Sequence, residues 1–256
     1  MSRLSACVLA APLVVLVGLP ALAWDERPAA STPESARLLP ERASYFSFFD
    51  GVEREPYALD AVSRFLEPSE RLRCEASELV TYRSRSLRYV VRVHPAFRER
   101  LARFDALVVD LATSHYGRPP RRLAHHGSFA CRSLRSRKER ISEHALGNAL
   151  DLRGFDFGPL PRRLAAPEAM PKHLRAGFSV RVLDNWAPRR SRDDYHARFL
   201  HQLAEALRHR PDIFRGIVGP PRPRHHDHLH LDVAPWRYAM FGYGSEDDPS
   251  SQKPGS

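Results

Sequence analysis

Residues 142–151 read Ser-Glu-His-Ala-Leu-Gly-Asn-Ala-Leu-Asp, a stretch that places His144 and Asp151 seven positions apart across a turn of small residues. Gly147 lies inside this turn, and glycine permits a close approach of the backbone that other residues hinder. We therefore expect both side chains to reach one point.

A second stretch, residues 225–232, reads His-His-Asp-His-Leu-His-Leu-Asp and enters an apolar run typical of a strand. Side chains along a strand alternate between its two faces, which puts His228 and His230 on the same face. Asp232 follows on that face. It is expected either to orient a ligand imidazole or to form a salt bridge at the strand end.

Two neutral imidazoles and one carboxylate are the usual protein ligands of a catalytic zinc, whose fourth position is left to water. A structural zinc would require four protein ligands. Cys74 and Cys131 could supply thiolates, but a disulfide between them would remove both. The sequence therefore favours an open zinc site built from the two His- and Asp-bearing stretches.

The remaining apolar pattern predicts an α+β fold. Residues 87–93 alternate as a half-buried strand, and a helix follows His94-Pro95 with Phe97, Leu101, Phe104, Val108 and Leu111 on one face. Gly117-Arg118-Pro119-Pro120 ends it. A second helix begins near Ser191 to Asp194, with an apolar face at Phe199, Leu200, Leu203 and Leu207. Shorter strands are predicted at 122–131, 147–155, 177–183 and 228–234, giving a small, mostly antiparallel sheet flanked by helices.

The two ends of the chain are set apart from this domain. Residues 1–23 combine an apolar run with the small-residue ending Ala21-Leu22-Ala23, which predicts a cleaved secretory signal peptide; the alternative is an uncleaved membrane anchor. Residues 24–43 and 243–256 are predicted to be a disordered linker and a disordered tail. The folded domain is then 44–242, exported to the periplasm or beyond, without stable membrane insertion after cleavage.

If the chain is exported, its cysteines and its net charge can be interpreted further. Cys7 leaves with the signal, so Cys74 and Cys131 remain where disulfides persist, and a bridge between them is favoured over two separate buried thiols. The formal net charge of +10 favours anionic surroundings, such as wall polymers. No nucleic-acid-binding motif is present, so nucleic acid is not an expected partner.

The pattern Ser-x-His-x-x-Gly-x-Ala-x-Asp followed by Asp-His-x-His resembles the extensin-like C-terminal domain family, which is related to the D-alanyl-D-alanine carboxypeptidases and to the hedgehog fold. The resemblance implies a zinc peptidase with His144, Asp151 and His230 as the metal ligands. It implies catalytic roles for three further residues: Asp227 as base, His228 as an assisting residue, and Arg132 facing the substrate.

Two departures from the family pattern concern substrate fit. An arginine-rich segment between Arg132 and Arg140 replaces what is often a short glycine-containing turn, and Leu229 replaces Phe inside His-x-His. Neither removes a ligand.

The resemblance implies hydrolysis of peptidoglycan stem peptides by water that zinc activates, with Asp227 taking the proton. The alternative is a zinc-containing module on the same fold that binds wall polymer or glycan without turnover. A structural wall protein is disfavoured, because no Ser-Pro repeats occur.

Several other polar and aromatic residues are expected to have ordinary roles. The pairs His125-His126 and His225-His226 are interpreted as chance neighbours, since neither has a spaced acidic partner in its own segment. Glu143 is expected to be a solvated charge. Trp186 and Trp236 are expected to be packing residues, with stacking on a sugar as the alternative.

Overall fold

The computed structural model describes residues 44–48 and 194 by their backbone alone, and in full residues 56–67, 70–74, 78–187 and 195–243. The expected signal peptide, linker and the tail after Tyr243 lie outside these ranges. Within the described ranges, no helix combines the length and the apolar character needed to cross a membrane.

The described residues form a mixed sheet, a two-stranded sheet and a few helices. The strands are β1 (Ser44–Phe48), β2 (Val80–Arg83), β3 (Val90–Val93), β4 (Arg122–Gly127), β5 (Ala149–Phe157), β6 (Phe178–Arg181), β7 (Gly216–Val218), β8 (Leu229–Asp232) and β9 (Tyr238–Gly242). The α-helices are α1 (Phe97–Tyr116), α2 (Val182–Asn185) and α3 (Asp194–Arg208), and 3₁₀ turns span Glu143–Leu146 and Lys172–Arg175. The expected α+β class is confirmed.

The larger sheet has seven strands in the order β1-β9-β7-β8-β5-β4, with β6 also paired to β5. Every pairing is antiparallel except that of β7 with β9, which is parallel. The expectation of a mostly antiparallel sheet is therefore correct. β2 and β3 form the separate two-stranded sheet.

Strand β5 is the centre of the sheet. β4 pairs along one of its edges, while β8 pairs with its first half and β6 with its second half on the other edge. Leu150 and Leu152 are fully buried in the core that the helices share. Because side chains alternate along a strand, the intervening Asp151 lies on the opposite face, away from this core.

Helix α1 buries one complete stripe of side chains in the core. The stripe consists of Phe97, Leu101, Phe104, Val108, Ala112 and Tyr116. Spacings of three and four residues keep these positions on one face of a helix. The predicted stripe is correct up to Val108, after which Ala112 replaces Leu111, which is only partly buried. Gly117 adopts the left-handed conformation that ends the helix.

Helix α3 buries the expected face, and Phe199, Leu200, Leu203 and Leu207 are fully inaccessible.

The predicted strand 177–183 is too long, because Val182 begins α2 instead. Strands β1, β2, β7 and β9 were not predicted. The three residues of β7 are all buried, so its sequence shows no alternation. The described fold also extends to Tyr243, whose hydroxyl donates to Glu205 Oε2 at 3.2 Å.

The predicted disulfide is present. Cys74 and Cys131 are bonded, with Cα atoms 5.7 Å apart and 57 positions between them in sequence. Cys131 follows β4 and precedes the turn that carries His144, so the bridge restrains the backbone on one side of the candidate site.

We expect the double variant Cys74→Ser, Cys131→Ser to lower the free energy of unfolding by about 2–4 kcal/mol, because the bridge limits the unfolded chain. Urea denaturation measures this difference. Wild type with reductant should match the double variant, which itself should not respond to reductant. Identical unfolding of the oxidised and reduced wild type would contradict the prediction.

Candidate metal centre

Three predicted ligands converge on the sheet face that lies opposite the helical core. Nε2 of His144 is 3.1 Å from Oδ1 of Asp151 and 3.2 Å from Nδ1 of His230. Nδ1 of His230 is 2.9 Å from the same Asp151 oxygen. Residues distant in sequence therefore contribute three ligand-type atoms to one small triangle.

The strand register brings two of these residues together. Asp151 on β5 pairs directly with His230 on β8, so their side chains emerge side by side. His144 comes from the 3₁₀ turn, which ends at Gly147 with a positive φ of 62°. A Cβ on Gly147 would lie 2.8 Å from the backbone nitrogen of His94. The expected close backbone approach at this glycine is therefore confirmed.

The outward nitrogen of each imidazole is already occupied. Nδ1 of His144 donates to the carbonyl oxygen of Ser128 at 3.2 Å, since a carbonyl can only accept. Nε2 of His230 lies 3.0 Å from Oδ2 of Asp232 and donates to it. In the neutral rings this leaves the lone pairs on His144 Nε2 and His230 Nδ1, which both face Asp151. Three electron-rich atoms thus face one another and require a positive charge between them.

The electrostatics of the group point the same way. Burial alone would lower the pKa of His230, but hydrogen bonds to the carboxylates of Asp151 and Asp232 outweigh it and raise that pKa to about 10. Burial would raise the pKa of Asp151, yet hydrogen bonds with the two imidazoles hold it well below its usual range. The pocket favours a cation, which either a proton or a metal ion can supply.

The donor set fits zinc in type and in spacing. Tetrahedral zinc binds nitrogen and oxygen at about 2.0–2.1 Å, which puts its ligand atoms about 3.3 Å apart. The separations of 2.9–3.2 Å are slightly shorter, so a small outward shift of the side chains accommodates the ion. His144 is 4% exposed, whereas Asp151 and His230 are 17% and 15% exposed, so one side of the triangle is accessible.

Asp232 supports His230 from behind. Besides accepting from the imidazole, its Oδ2 accepts from the hydroxyl of Tyr238 and its Oδ1 from the backbone N–H of Ala234. No Lys or Arg pairs with Asp232 in the part of the chain that is described. Of the two alternatives considered for this residue, the contact with the imidazole is the one observed.

Glu143 differs from its expected role as a solvated charge. Its side chain is buried and accepts from Nε of Arg64 at 2.8 Å and from Nδ2 of Asn148 at 2.7 Å. Asn148 in turn donates to the carbonyl of Val233 and accepts from the Tyr57 hydroxyl. This network fixes the backbone beside His144. The sequence concealed it because Arg64 lies 79 positions away.

Asp227 and His228 form a chain of hydrogen bonds next to the triangle. Oδ1 of Asp227 accepts from Nδ1 of His228 at 2.8 Å, and Nε2 of the same imidazole is 3.7 Å from Oδ1 of Asp151. Burial would raise the pKa of Asp227, but hydrogen bonds from His228 and His126 lower it to about 2. His228 therefore lies between Asp227 and the triangle.

His126 also has a role that the sequence analysis did not predict. Its Nε2 donates to Oδ2 of Asp227 at 3.0 Å, and together with His228 these residues form the second metal-type group among the described residues. The pairing of β4 with β5 shifts register on both sides of His125, a bulge that directs the next side chain toward Asp227. Its acidic partner follows 101 positions later, beyond the reach of a local pattern.

Of the other three histidines in the two adjacent pairs, one borders the site and two do not. The ring of His225 lies 5.1 Å from that of His228 and 6.0 Å from that of His230, so it borders the site. His226 is exposed, as expected of a chance neighbour. The ring of His125 packs 5.9 Å from that of Tyr89.

Arg132 is joined to the His144 turn through the backbone, since its carbonyl accepts from the N–H of Ser142 at 3.2 Å. Its side chain is half-buried and makes no ion pair with any described residue. Trp186 is a packing residue, as expected, buried with its Nε1–H donated to the Gly242 carbonyl. Trp236 is partly exposed and stacks on Arg140.

Residues 59–160 match the family model described as the extensin-like protein C-terminus, which supports the extensin-like family for this part of the chain. The matched range contains Cys74, Cys131, Arg132, His144 and Asp151, and it ends before Asp227 and His230. No curated protein and no solved structure matches the chain.

We expect Asp232→Asn to weaken zinc binding about 10- to 100-fold, because loss of the carboxylate loosens His230 and lowers its basicity. Competition with a chromophoric chelator measures the zinc dissociation constant. Asp184→Asn is the matched control, since Asp184 is exposed and lies in α2. Equal zinc affinity of Asp232→Asn and the control would contradict a supporting role for Asp232.

Proposed function

We propose that this protein is an exported zinc peptidase that hydrolyses peptide bonds of peptidoglycan, on a fold related to the hedgehog and D-alanyl-D-alanine carboxypeptidase group. The observation that carries the proposal is the convergence of His144 Nε2, Asp151 Oδ1 and His230 Nδ1, with the outward nitrogen of each imidazole occupied by a carbonyl or carboxylate. Three protein ligands with one accessible side are the arrangement of a catalytic rather than a structural zinc.

Zinc in this position would lower the pKa of water toward about 7 and polarise a substrate carbonyl. His144, Asp151 and His230 would hold the ion, while Ser128 and Asp232 fix the orientation of the two imidazoles. Such outer contacts maintain the ligand tautomers. The protein thus supplies a preorganised group of ligands and leaves the remaining coordination positions to water and substrate.

The geometry favours Nε2 of His228 as the group that accepts the proton from water, with Asp227 as the hydrogen-bond partner of this imidazole, instead of Asp227 as the base itself. Burial lowers the pKa of His228, only partly opposed by its hydrogen bond to Asp227, so the ring is neutral at pH 7. With Nδ1–H donated to Asp227, the lone pair of the ring is on Nε2, the nitrogen nearer Asp151. A carboxylate with a pKa of about 2 is a weak base, but it stabilises an imidazolium well.

Two further observations support the substrate and compartment. The Cys74–Cys131 disulfide is typical of proteins outside the reducing cytoplasm, which agrees with the expected signal peptide at 1–23. Arg132, whose planar guanidinium suits a carboxylate or an oxyanion, lies on the segment joined to the His144 turn. Stem peptides of peptidoglycan carry such carboxylates, and the basic chain favours them.

The first test measures zinc content and the amines released from peptidoglycan fragments. We expect about one zinc per chain for the wild type, a loss of zinc in His230→Ala, and retention of zinc without turnover in Asp227→Ala. Zinc binding without cleavage by any form would favour the binding module instead. A wild type that binds no zinc would overturn the metal centre itself.

A second prediction separates the three members of the hydrogen-bonded chain. His228→Ala should lower kcat about 100- to 10,000-fold, as loss of a general base does. His126→Leu should cost less, about tenfold, because it acts only through Asp227. Zinc content should stay the same in both variants. A normal kcat in His228→Ala would return the base role to Asp227.

A further inference from the structure

Residues 132–142, here called the basic hairpin, carry an unusual concentration of cations. Within eleven positions they include one acid, Glu139, and five basic residues, Arg132, Arg135, Arg137, Lys138 and Arg140.

The basic hairpin is held by its backbone. Ser133 and Ile141 form an antiparallel bridge, and the N–H of Leu134 donates to the carbonyl of Arg140 at 2.7 Å. A second bridge joins Arg140 to Phe65 on the neighbouring segment. The disulfide at Cys131 restrains its first residue. A backbone fixed at so many points loses little further conformational entropy when a ligand binds to it.

Arg140 braces the hairpin instead of extending into solvent. Its guanidinium carbon lies 5.0 Å from the ring centroid of Phe65 and 4.7 Å from that of Trp236, so the cation is held between two aromatic faces. The tip residues Arg135, Arg137 and Lys138 are exposed. The hairpin thus divides into a packed base and a charged tip.

Both ends of the basic hairpin are joined to the turn that carries His144. At the far end, Ser142 Oγ accepts from the backbone N–H of His144 at 3.4 Å. Just before the near end, the N–H of Ala130 donates to the carbonyl of His144 at 3.2 Å, and Ser128 accepts from its ring. The base of the hairpin is therefore joined directly to the turn that carries a candidate metal ligand.

The three tip charges and Arg132 have no ion-pair partner among the described residues. Among residues 56–67, 70–74, 78–187 and 195–243, no side chain forms a hydrogen bond or ion pair with Arg132, Arg135, Arg137 or Lys138. Like charges held this close repel one another, and an anionic ligand relieves the repulsion. We propose that the basic hairpin is a docking surface for the carboxylates of polymeric peptidoglycan, which it holds beside the metal centre.

The identity of the polymer rests on the proposed function, and the chemistry of the hairpin supports it. The guanidinium fork matches the two oxygens of a carboxylate, and a repeating polymer engages several cations at once. The charged tip contains no aromatic side chain on which a nucleic-acid base could stack, and Arg140 occupies a face of both Phe65 and Trp236 at the base of the hairpin. A carboxylate polymer therefore fits this surface better than a single-stranded nucleic acid.

The test is binding of the full protein to purified insoluble peptidoglycan, measured by co-sedimentation in an Asp227→Ala background, which is expected to retain zinc without turnover. The triple variant Arg135→Gln, Arg137→Gln, Lys138→Gln should bind about tenfold more weakly at about 50 mM salt, because each exposed pair contributes modestly. The difference should disappear near 500 mM salt, where such pairs are screened. Glu139→Gln, which removes the only acid of the hairpin, should strengthen binding.

The matched control is Arg162→Gln, Arg163→Gln, Lys172→Gln, which removes the same charge from three exposed positions. These residues follow β5, whose last residue lies about 20 Å along the strand from Asp151. The control should bind like its parent. Peptidoglycan with its carboxylates converted to amides should bind the parent and the hairpin variant equally weakly.

Three outcomes would overturn the docking surface. Equal weakening of binding in both triple variants would indicate an effect of net charge alone. Unchanged binding of the hairpin variant, or tighter binding of DNA with the same dependence on the hairpin, would also contradict the proposal. Because the assay requires neither zinc nor hydrolysis, its result is independent of the proposed catalysis. Hairpin-dependent binding without any peptidase activity would support the docking surface and contradict only the proposed peptidase function.

Discussion

The register between β5 and β8 is the constraint on which the site depends. Asp151 pairs with His230, and the flanking Leu150 and Leu231 pair on the buried face. A slip of one residue would turn every side chain of β8 to the other face, burying His230 and exposing leucines. The same burial that stabilises the sheet therefore fixes the ligand pair. The candidate metal centre needs no separate scaffold, because the hydrophobic core already specifies which residues face it.

This arrangement places carboxylates where they are costly. Glu143 and Asp232 are both buried next to candidate ligands, and each is fully engaged, the first by Arg64 and Asn148, the second by His230, Tyr238 and a backbone N–H. A buried ion pair adds little net stability, but removing one partner leaves an uncompensated charge. These groups are thus better explained by the orientation of His144 and His230 than by stability of the fold.

The sequence predicts the members of the triangle because two short patterns each supply their ligands locally. Periodicity likewise predicts α1 and α3, whose buried stripes are long enough to be clear. What escaped prediction depends on contacts between distant segments. His126 reaches Asp227 only because β4 carries a bulge, and Glu143 is buried only because Arg64 arrives from 79 positions away. Neither a bulge nor a distant partner leaves a local signal in the sequence.

The turn that carries His144 connects the candidate metal centre to the basic hairpin. The side chain of His144 contacts Asp151 and His230 on the strands, and the backbone of the turn is hydrogen-bonded to Ser142 at the end of the hairpin. The matched extensin-like range covers the turn and the hairpin, whereas β8 and the Asp227–His228 pair lie beyond it. Under the proposed docking, a change in the hairpin would alter which polymer reaches the site without moving the β5–β8 pair that carries Asp151 and His230. Such a separation would let recognition of the polymer vary while the core keeps these two side chains in place.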